Sequence, residues 1–210
     1  MAAWEIPERC VANGNPRFAH IVDGVRAMLL AAAVVLAACS GPLAGTELGS
    51  EVAPDFTLQD ALTGSSVSLA SLRGGVVALT FLYTQCPDTC PLTAELLRAA
   101  REKLGGDARR VTIIAVSTDP GRDTPQSVRA FSEAHRLSAN WHYLIGRPEQ
   151  LAAVWRLYGV RAAPDQGAST VTHTDAIFLI DKQGRERTVI HTNDAPDAVT
   201  MSFRTLLGER

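Results

Sequence analysis

The sequence has little net charge and no apolar run long enough to cross a bilayer. Its formal net charge is −2 over 210 residues, which argues against a nucleic-acid-binding surface and against a polybasic membrane patch. The apolar run at residues 27–38 has about a dozen residues, short of the roughly 20 that a spanning helix needs. Internal repeats and low-complexity stretches are also absent. This composition favours one ordinary globular domain.

The short apolar run follows Arg26 and has the character of a secretory signal peptide. It ends in LAAC, residues 36–39, which resembles the lipobox of bacterial lipoproteins. We therefore expect Cys39 to be acylated, and two or more acyl chains would anchor it stably to the cell membrane. The alternative is an ordinary signal peptide with small residues before the cleavage site. Both interpretations predict an extracytoplasmic location, on the periplasmic side in a Gram-negative cell.

Three segments are predicted along the chain. Residues 1–38 form the signal peptide, and the mixed composition of 1–24 suggests a mis-assigned start, with translation beginning at Val25 or Met28. Residues 39–50 hold the lipidated cysteine and a flexible tether rich in glycine. Residues 51–210 are long enough for one domain with one substantial core.

Strand and helix patterns alternate within this domain. We predict a hairpin from residues 56–60 and 66–69, followed by buried strands at 76–83 and 111–117. The sequence therefore predicts an α/β sandwich of three layers with a mixed central sheet and an N-terminal hairpin. The other predicted elements are helices at 91–104, 125–135 with Thr124 as its N-cap, 149–158 and 194–207, and strands at 141–144, 176–180 and 185–192.

The segment CPDTCP, residues 86–91, lies between the first buried strand and the next helix. Once the leader is removed and Cys39 is lipidated, Cys86 and Cys90 are the remaining thiols. Pro87 suits a type I turn, which brings the second thiol near the first. Pro91 is predicted as the first helical residue, with Cys90 at the N-cap, where the helix dipole favours a thiolate. The pair can serve as redox thiols or as two metal ligands.

Two thiols alone do not distinguish a disulfide from a metal site. His173 precedes the predicted strand 176–180, and its ring can face the cysteine loop if the two strands are neighbours. Two thiolates and one imidazole suit Cu(I). Among the divalent first-row metals, Cu(II) has the highest affinity for a given set of ligands, whereas zinc would need a fourth ligand. Position alone leaves open a surface or capping role for His173. A structural role is the better interpretation of the other histidines in the domain, which are His135, His142 and His191.

Three segments together resemble the Sco/SenC proteins, thioredoxin-like copper chaperones of cytochrome oxidase maturation. They are residues 81–91, 117–125, and 172–174 with 178–181, and the resemblance covers about 52–207. It implies a thioredoxin-like fold and Cys86, Cys90 and His173 as ligands of copper, either Cu(I) or Cu(II). It also implies copper delivery to, or thiol reduction at, the copper A site in subunit II of cytochrome c oxidase.

The resemblance further suggests, as partners, another periplasmic copper chaperone or a thioredoxin-like reductant, and no nucleic acid. Two features of the chain qualify this picture. Thr172 stands where relatives carry an acidic residue before the histidine, and Asp175 follows two residues after it. Asp119 resembles a family position beside the site, although an Asp-Pro pair also forms turns.

Two other functions remain open from the sequence. A thioredoxin-type thiol-disulfide oxidoreductase needs only an attacking thiol and a resolving partner. That family usually has CxxC spacing and a cis-proline, whereas this chain has CxxxC and no proline between Pro164 and Pro196. A redox or copper sensor without delivery activity is the third class. The sequence does not decide whether the protein is an enzyme, although a chaperone role is favoured.

Overall fold

The computed structural model describes residues 42–137, 139–164, 171–195 and 197–209, without the side chains of 163, 164 and 171–173. The predicted signal peptide, the alternative start and Cys39 lie outside these residues. Within the described part, no helix is both long and apolar enough to span a membrane. The strands are β1 (Thr46–Glu47), β2 (Thr57–Asp60), β3 (Ser66–Ser68), β4 (Val76–Leu82), β5 (Val111–Ser117), β6 (Trp141–Ile145), β7 (Ala162–Pro164), β8 (Val171–His173), β9 (Ile177–Ile180) and β10 (Glu186–Ile190), and the helices are α1 (Thr89–Glu102), α2 (Pro125–Ala134), α3 (Pro148–Leu157) and α4 (Ala198–Gly208).

Strand β4 is buried along its whole length. Successive side chains of a strand point to opposite faces of the sheet. Val76 and Ala78 accordingly pack in one apolar cluster with α1, α2 and α4, while Leu79 and Phe81 pack in a second cluster with α3. The continuous apolar run is therefore required because helices cover both faces of the sheet.

The main sheet has the strand order β1-β10-β9-β4-β5-β6-β2-β3. Strands β4, β5 and β6 are parallel, and their crossovers run through α1 and α2. Strand β9 is antiparallel to β4, and β2 pairs with β3 as a hairpin. This arrangement confirms the predicted three-layer α/β sandwich, its mixed sheet and its N-terminal hairpin.

The domain includes residues that the sequence assigns to the tether. Strand β1 pairs antiparallel with β10, and the Ala44 N–H donates to Ser202 Oγ at 3.0 Å. Gly45, between Ala44 and the start of β1, has a φ of +83°, and a Cβ there would lie 2.1 Å from the Val189 carbonyl oxygen. This glycine thus permits close backbone approach at the sheet edge, whereas the sequence suggested only flexibility.

Asp181 stabilises the turn between β9 and β10. Its Oδ1 accepts hydrogen bonds from the backbone N–H groups of Gln183 and Arg185, and its Oδ2 accepts from Arg185 Nε at 2.9 Å and Arg187 Nη1 at 3.2 Å. Burial raises the pKa of this carboxyl, but the hydrogen bonds from Arg185 and Arg187 outweigh burial and hold the pKa below its ordinary value. The turn therefore depends on an ionised carboxylate.

We expect Asp181→Asn to lower the free energy of unfolding by about 2 kcal/mol at neutral pH, because charge-assisted hydrogen bonds are lost. The folded-state pKa lies below the unfolded one, so this stabilisation is present above the unfolded pKa and is lost as the pH falls through the folded pKa. Urea unfolding of both proteins at stepwise lower pH tests this. A difference in unfolding free energy between the wild type and the variant that stays constant as the pH falls would contradict the prediction.

Candidate metal centre

The two cysteines meet where β4 gives way to α1. Cys86 lies in the connecting loop, and its N–H donates to the Tyr83 carbonyl oxygen at 3.3 Å, which folds the chain back. Cys90 lies in the first turn of α1, and its N–H donates to Cys86 Sγ at 3.4 Å. The Thr89 hydroxyl lies 3.7 Å from the same sulfur. The predicted proximity of the two cysteines is therefore confirmed.

Helix α1 starts earlier than predicted. Its first residue is Thr89 and its N-cap is Asp88, so Cys90 is the second helical residue rather than the N-cap. Pro91 occupies the third position, where its missing N–H costs nothing because the first N–H groups of a helix have no partner within the helix. As a result, the sulfur that accepts a helix N–H is that of Cys86.

The two thiols differ in burial. Cys90 has no exposed surface, whereas Cys86 retains 9% of its surface, and neither is in a disulfide. A hydrogen bond with Cys86, together with burial, raises the pKa of Cys90 far above its ordinary value, against an opposing backbone hydrogen bond at Tyr83. The prediction that the helix terminus holds Cys90 as a thiolate is therefore wrong for the metal-free protein. A bound soft cation would displace this proton.

His173 is the last residue of β8, and its backbone pairs with Ala162 of β7. Its side chain lies outside the described part, so its role as third ligand stays a prediction. The main sheet does place β9 beside β4, as that prediction requires. Because these strands are antiparallel, with Thr80 opposite Ile177, the segment after His173 enters the sheet at the edge where the cysteine loop leaves it. The described side chains alone contain no group of three metal-ligating residues.

Asp119 lies in the turn after β5. Its carboxylate pairs with the Arg122 guanidinium, and its carbonyl oxygen accepts the Arg122 and Asp123 N–H groups. The guanidinium in turn lies over the Tyr83 ring, 5.8 Å from the centroid. Since the Tyr83 carbonyl holds the Cys86 N–H, the described contacts of Asp119 reach the cysteine loop through Arg122 and Tyr83.

The remaining histidines of the domain have partners in the fold. His135 lies 3.2 Å from a carboxylate oxygen of Glu95, and His142 lies 2.9 Å from a carboxylate oxygen of Asp60. The His191 ring hydrogen-bonds to the Asp175 carbonyl oxygen. These contacts agree with the structural roles predicted for all three.

Asp123 is a residue of the site that sequence reasoning missed. Only 5% of it is exposed, yet it accepts four hydrogen bonds. Its Oδ1 accepts from the N–H and hydroxyl of Thr84 at 2.9 and 2.8 Å, and its Oδ2 accepts from Ser117 Oγ at 2.6 Å and Tyr143 Oη at 3.0 Å. Thr84 lies two residues before Cys86, so this carboxylate fixes the cysteine loop to β5 and β6. Thr124 and Pro125, which follow Asp123 in the sequence, predicted only a helix start.

We expect Asp123→Ala to lower the free energy of unfolding of the metal-free protein by about 3 kcal/mol, because it leaves several buried donors without an acceptor. Asp123→Asn should cost less, since its amide can accept from Thr84 and donate to the hydroxyls. Both are measured by urea unfolding, and faster alkylation of Cys86 in the Ala variant would report a loosened loop. Equal stability of the Ala variant and the wild type would contradict this role.

The difference in stability between the wild type and Asp123→Asn should depend on pH. Burial raises the pKa of Asp123, against the hydrogen bonds from Ser117, Thr84 and Tyr143 that lower it. Because the folded-state pKa exceeds the unfolded one, the wild type loses stability as the pH rises through the folded pKa. The Asn variant does not titrate, so we expect its stability relative to wild type to increase over that range. A pH-independent difference would contradict the assignment.

The chain is similar in sequence and in fold to proteins of one known family. The SCO1/SenC family matches residues 44–208. The SCO1 protein homolog of Bacillus subtilis is 30% identical over 168 residues, covering 79% of this chain and 85% of that protein. The copper-bound structure of Bradyrhizobium japonicum ScoI is 30% identical, with a TM-score of 0.65 over 74% of this chain and 99% of that one.

A third relative is BsSco, described as a member of the Sco family of cytochrome c oxidase assembly proteins and the subject of work on a disulfide switch. It is 24% identical, with a TM-score of 0.63 over 78% of this chain and 98% of that one, and so supports the fold. The fold is thus the thioredoxin-like fold of the Sco proteins. From the extent of the family match and the identity to the Bacillus subtilis relative, the chain belongs to the SCO1/SenC family.

Proposed function

We propose that the protein is an extracytoplasmic copper chaperone that binds one copper ion through Cys86, Cys90 and His173. The observation that carries this proposal is the hydrogen bond from the Cys90 N–H to Cys86 Sγ, which brings the two cysteines together at the end of the central strand. Two soft sulfurs with one imidazole suit Cu(I). The copper-bound ScoI structure supports the choice of metal.

The unequal burial of the thiols suits transfer by ligand exchange. Cys90 lies in the core, and Cys86 borders the solvent. An incoming thiolate of a client can therefore reach the copper beside Cys86 while Cys90 still holds it. The resemblance and the assembly role of BsSco support the copper A site of oxidase subunit II as the client.

Two supporting roles belong to the same proposal. Asp119 holds Arg122 over Tyr83 and so steadies the carbonyl that binds the Cys86 N–H. Cys39 carries the lipid that keeps the domain at the membrane, as its lipobox-like context predicts, and another periplasmic copper chaperone or a thioredoxin-like reductant supplies the metal or electrons.

A dithiol oxidoreductase is the second candidate, favoured by the closeness of the two cysteines and by the disulfide switch described for BsSco. The raised pKa of Cys90 works against it as the attacking thiol, so Cys86 would attack and Cys90 would resolve. The same thiols could reduce the cysteines of the client, which makes this activity compatible with copper delivery.

We expect the reduced protein lacking residues 1–38 to bind one copper per chain in an anaerobic titration. Cys86→Ser should abolish tight binding, and His173→Ala should weaken it by at least about tenfold, since a ligand matters no less than the groups that orient ligands. His135→Ala is the matched control, because this histidine contacts Glu95. A Cys86→Ser variant that still binds one tight copper would defeat the proposal.

Kinetic measurements on the same protein separate the two candidates. If no tight copper binds, but a Cys86–Cys90 disulfide forms and is rapidly reduced by thioredoxin-like donors, we expect the oxidoreductase to be the main function. If copper binding is tight and depends on His173, the chaperone is favoured. Disulfide reduction rates are followed by trapping the free thiols with an alkylating reagent.

A further inference from the structure

The two halves of the copper site lie on different parts of the chain. Cys90 is on α1, and His173 precedes β9. Three side chains join these parts by hydrogen bonds: Thr93 of α1, Asp175 before β9, and Thr192 after β10. Thr192 donates its N–H to Asp175 Oδ2 at 2.9 Å and its hydroxyl to Asp175 Oδ1 at 2.8 Å. Its hydroxyl oxygen lies 2.9 Å from Thr93 Oγ1.

The carboxylate sets the direction of these hydrogen bonds. The Thr192 hydroxyl donates its one proton to Asp175 Oδ1, so in its contact with the Thr93 hydroxyl it accepts. The Thr93 hydroxyl also donates to the Thr89 carbonyl oxygen at 3.0 Å. Its single proton therefore lies between two acceptors, that carbonyl oxygen and the Thr192 hydroxyl oxygen. Only 2% of Thr93 is exposed, and a buried hydroxyl requires such partners.

Both ends of this relay adjoin predicted ligands. Thr93 follows Cys90 by three residues on α1, so the two lie on the same helix face. Asp175 follows His173 by two residues, which limits their Cα separation to about 7 Å. The backbone carbonyl of Asp175 also accepts from the His191 ring. Asp175 is thus held through both its side chain and its main chain.

We propose that the Thr93–Thr192–Asp175 relay positions His173 against the cysteine pair. These three residues touch no copper; they act through His173, and the inference rests on the proposed function. Thr93 fixes the relay to the helix that carries Cys90, and Asp175 fixes it to the segment that carries His173. The relay therefore sets how readily the imidazole completes the site that the two sulfurs begin.

Thr93→Val tests the relay, because it keeps the side-chain shape and removes the hydroxyl. We expect a roughly tenfold loss of copper affinity in competition with a chelator, as for other groups that orient metal ligands. Nitrogen coupling in the electron paramagnetic resonance spectrum of the Cu(II) form should weaken, while the sulfur-to-copper charge-transfer band persists. Thr93→Ser should restore both, and Asp175→Ala, which removes the acceptor of both Thr192 donors, should reproduce the effect of Thr93→Val.

Thr200→Val is the matched control. Thr200 is buried on α4, and within the described part of the chain its hydroxyl has no hydrogen-bond partner. This variant should bind copper as the wild type does. Unchanged affinity and nitrogen coupling in both Thr93→Val and Asp175→Ala would overturn the relay.

A double-mutant cycle with His173→Ala shows whether the relay acts through that histidine. In the His173→Ala background, Thr93→Val should cause no further loss of affinity. The same loss in both backgrounds would indicate a general effect on the fold and would overturn the proposal. If His173→Ala lowers affinity and Thr93→Val does not, the relay fails and the proposed metal site stands. If His173→Ala has no effect, the proposed site itself fails, and the relay fails with it.

Discussion

Strand β4 pairs with β5 on one side and β9 on the other, and these two pairings bring the chain segments of the predicted site to one end of the sheet. Parallel pairing with β5 brings the turn of Asp119 and Asp123 to the end of the strand that leads into Cys86. Antiparallel pairing with β9 directs the chain after His173 toward that same end. A strand able to sit between two such neighbours must be apolar on both faces, because helices cover both sides of the sheet.

The surroundings of the site are more polar than its thiols suggest. Asp123 binds the loop before Cys86 through Thr84, and Asp175, in the segment after His173, binds Thr192 after β10. Hydroxyl and backbone N–H groups supply the hydrogen bonds of both carboxyl groups, so each is tied to a neighbouring element of the fold.

Much of the fold follows from local signals in the sequence. Strand β5 has the predicted bounds because its apolar run is bordered by polar residues, and α2 starts where Thr124 and Pro125 predict it. The start of α1, by contrast, was not predicted, because Cys90 is helical although a residue before proline prefers an extended backbone. Asp123 bonds to Thr84, 39 residues away, and Thr192 to Thr93 across 99 residues. No local pattern encodes such pairs, and so these supports of the site could not be predicted.

The close approach of Gly45 to β10 has a consequence for the reach of the molecule. Residues 44–47 belong to the fold, so with a lipid on Cys39 only about five residues would separate the bilayer from the sheet edge. A fully extended segment of that length spans at most about 18 Å. The protein would then work within a shallow zone above the lipid headgroups, and a client would have to present its copper site at that height.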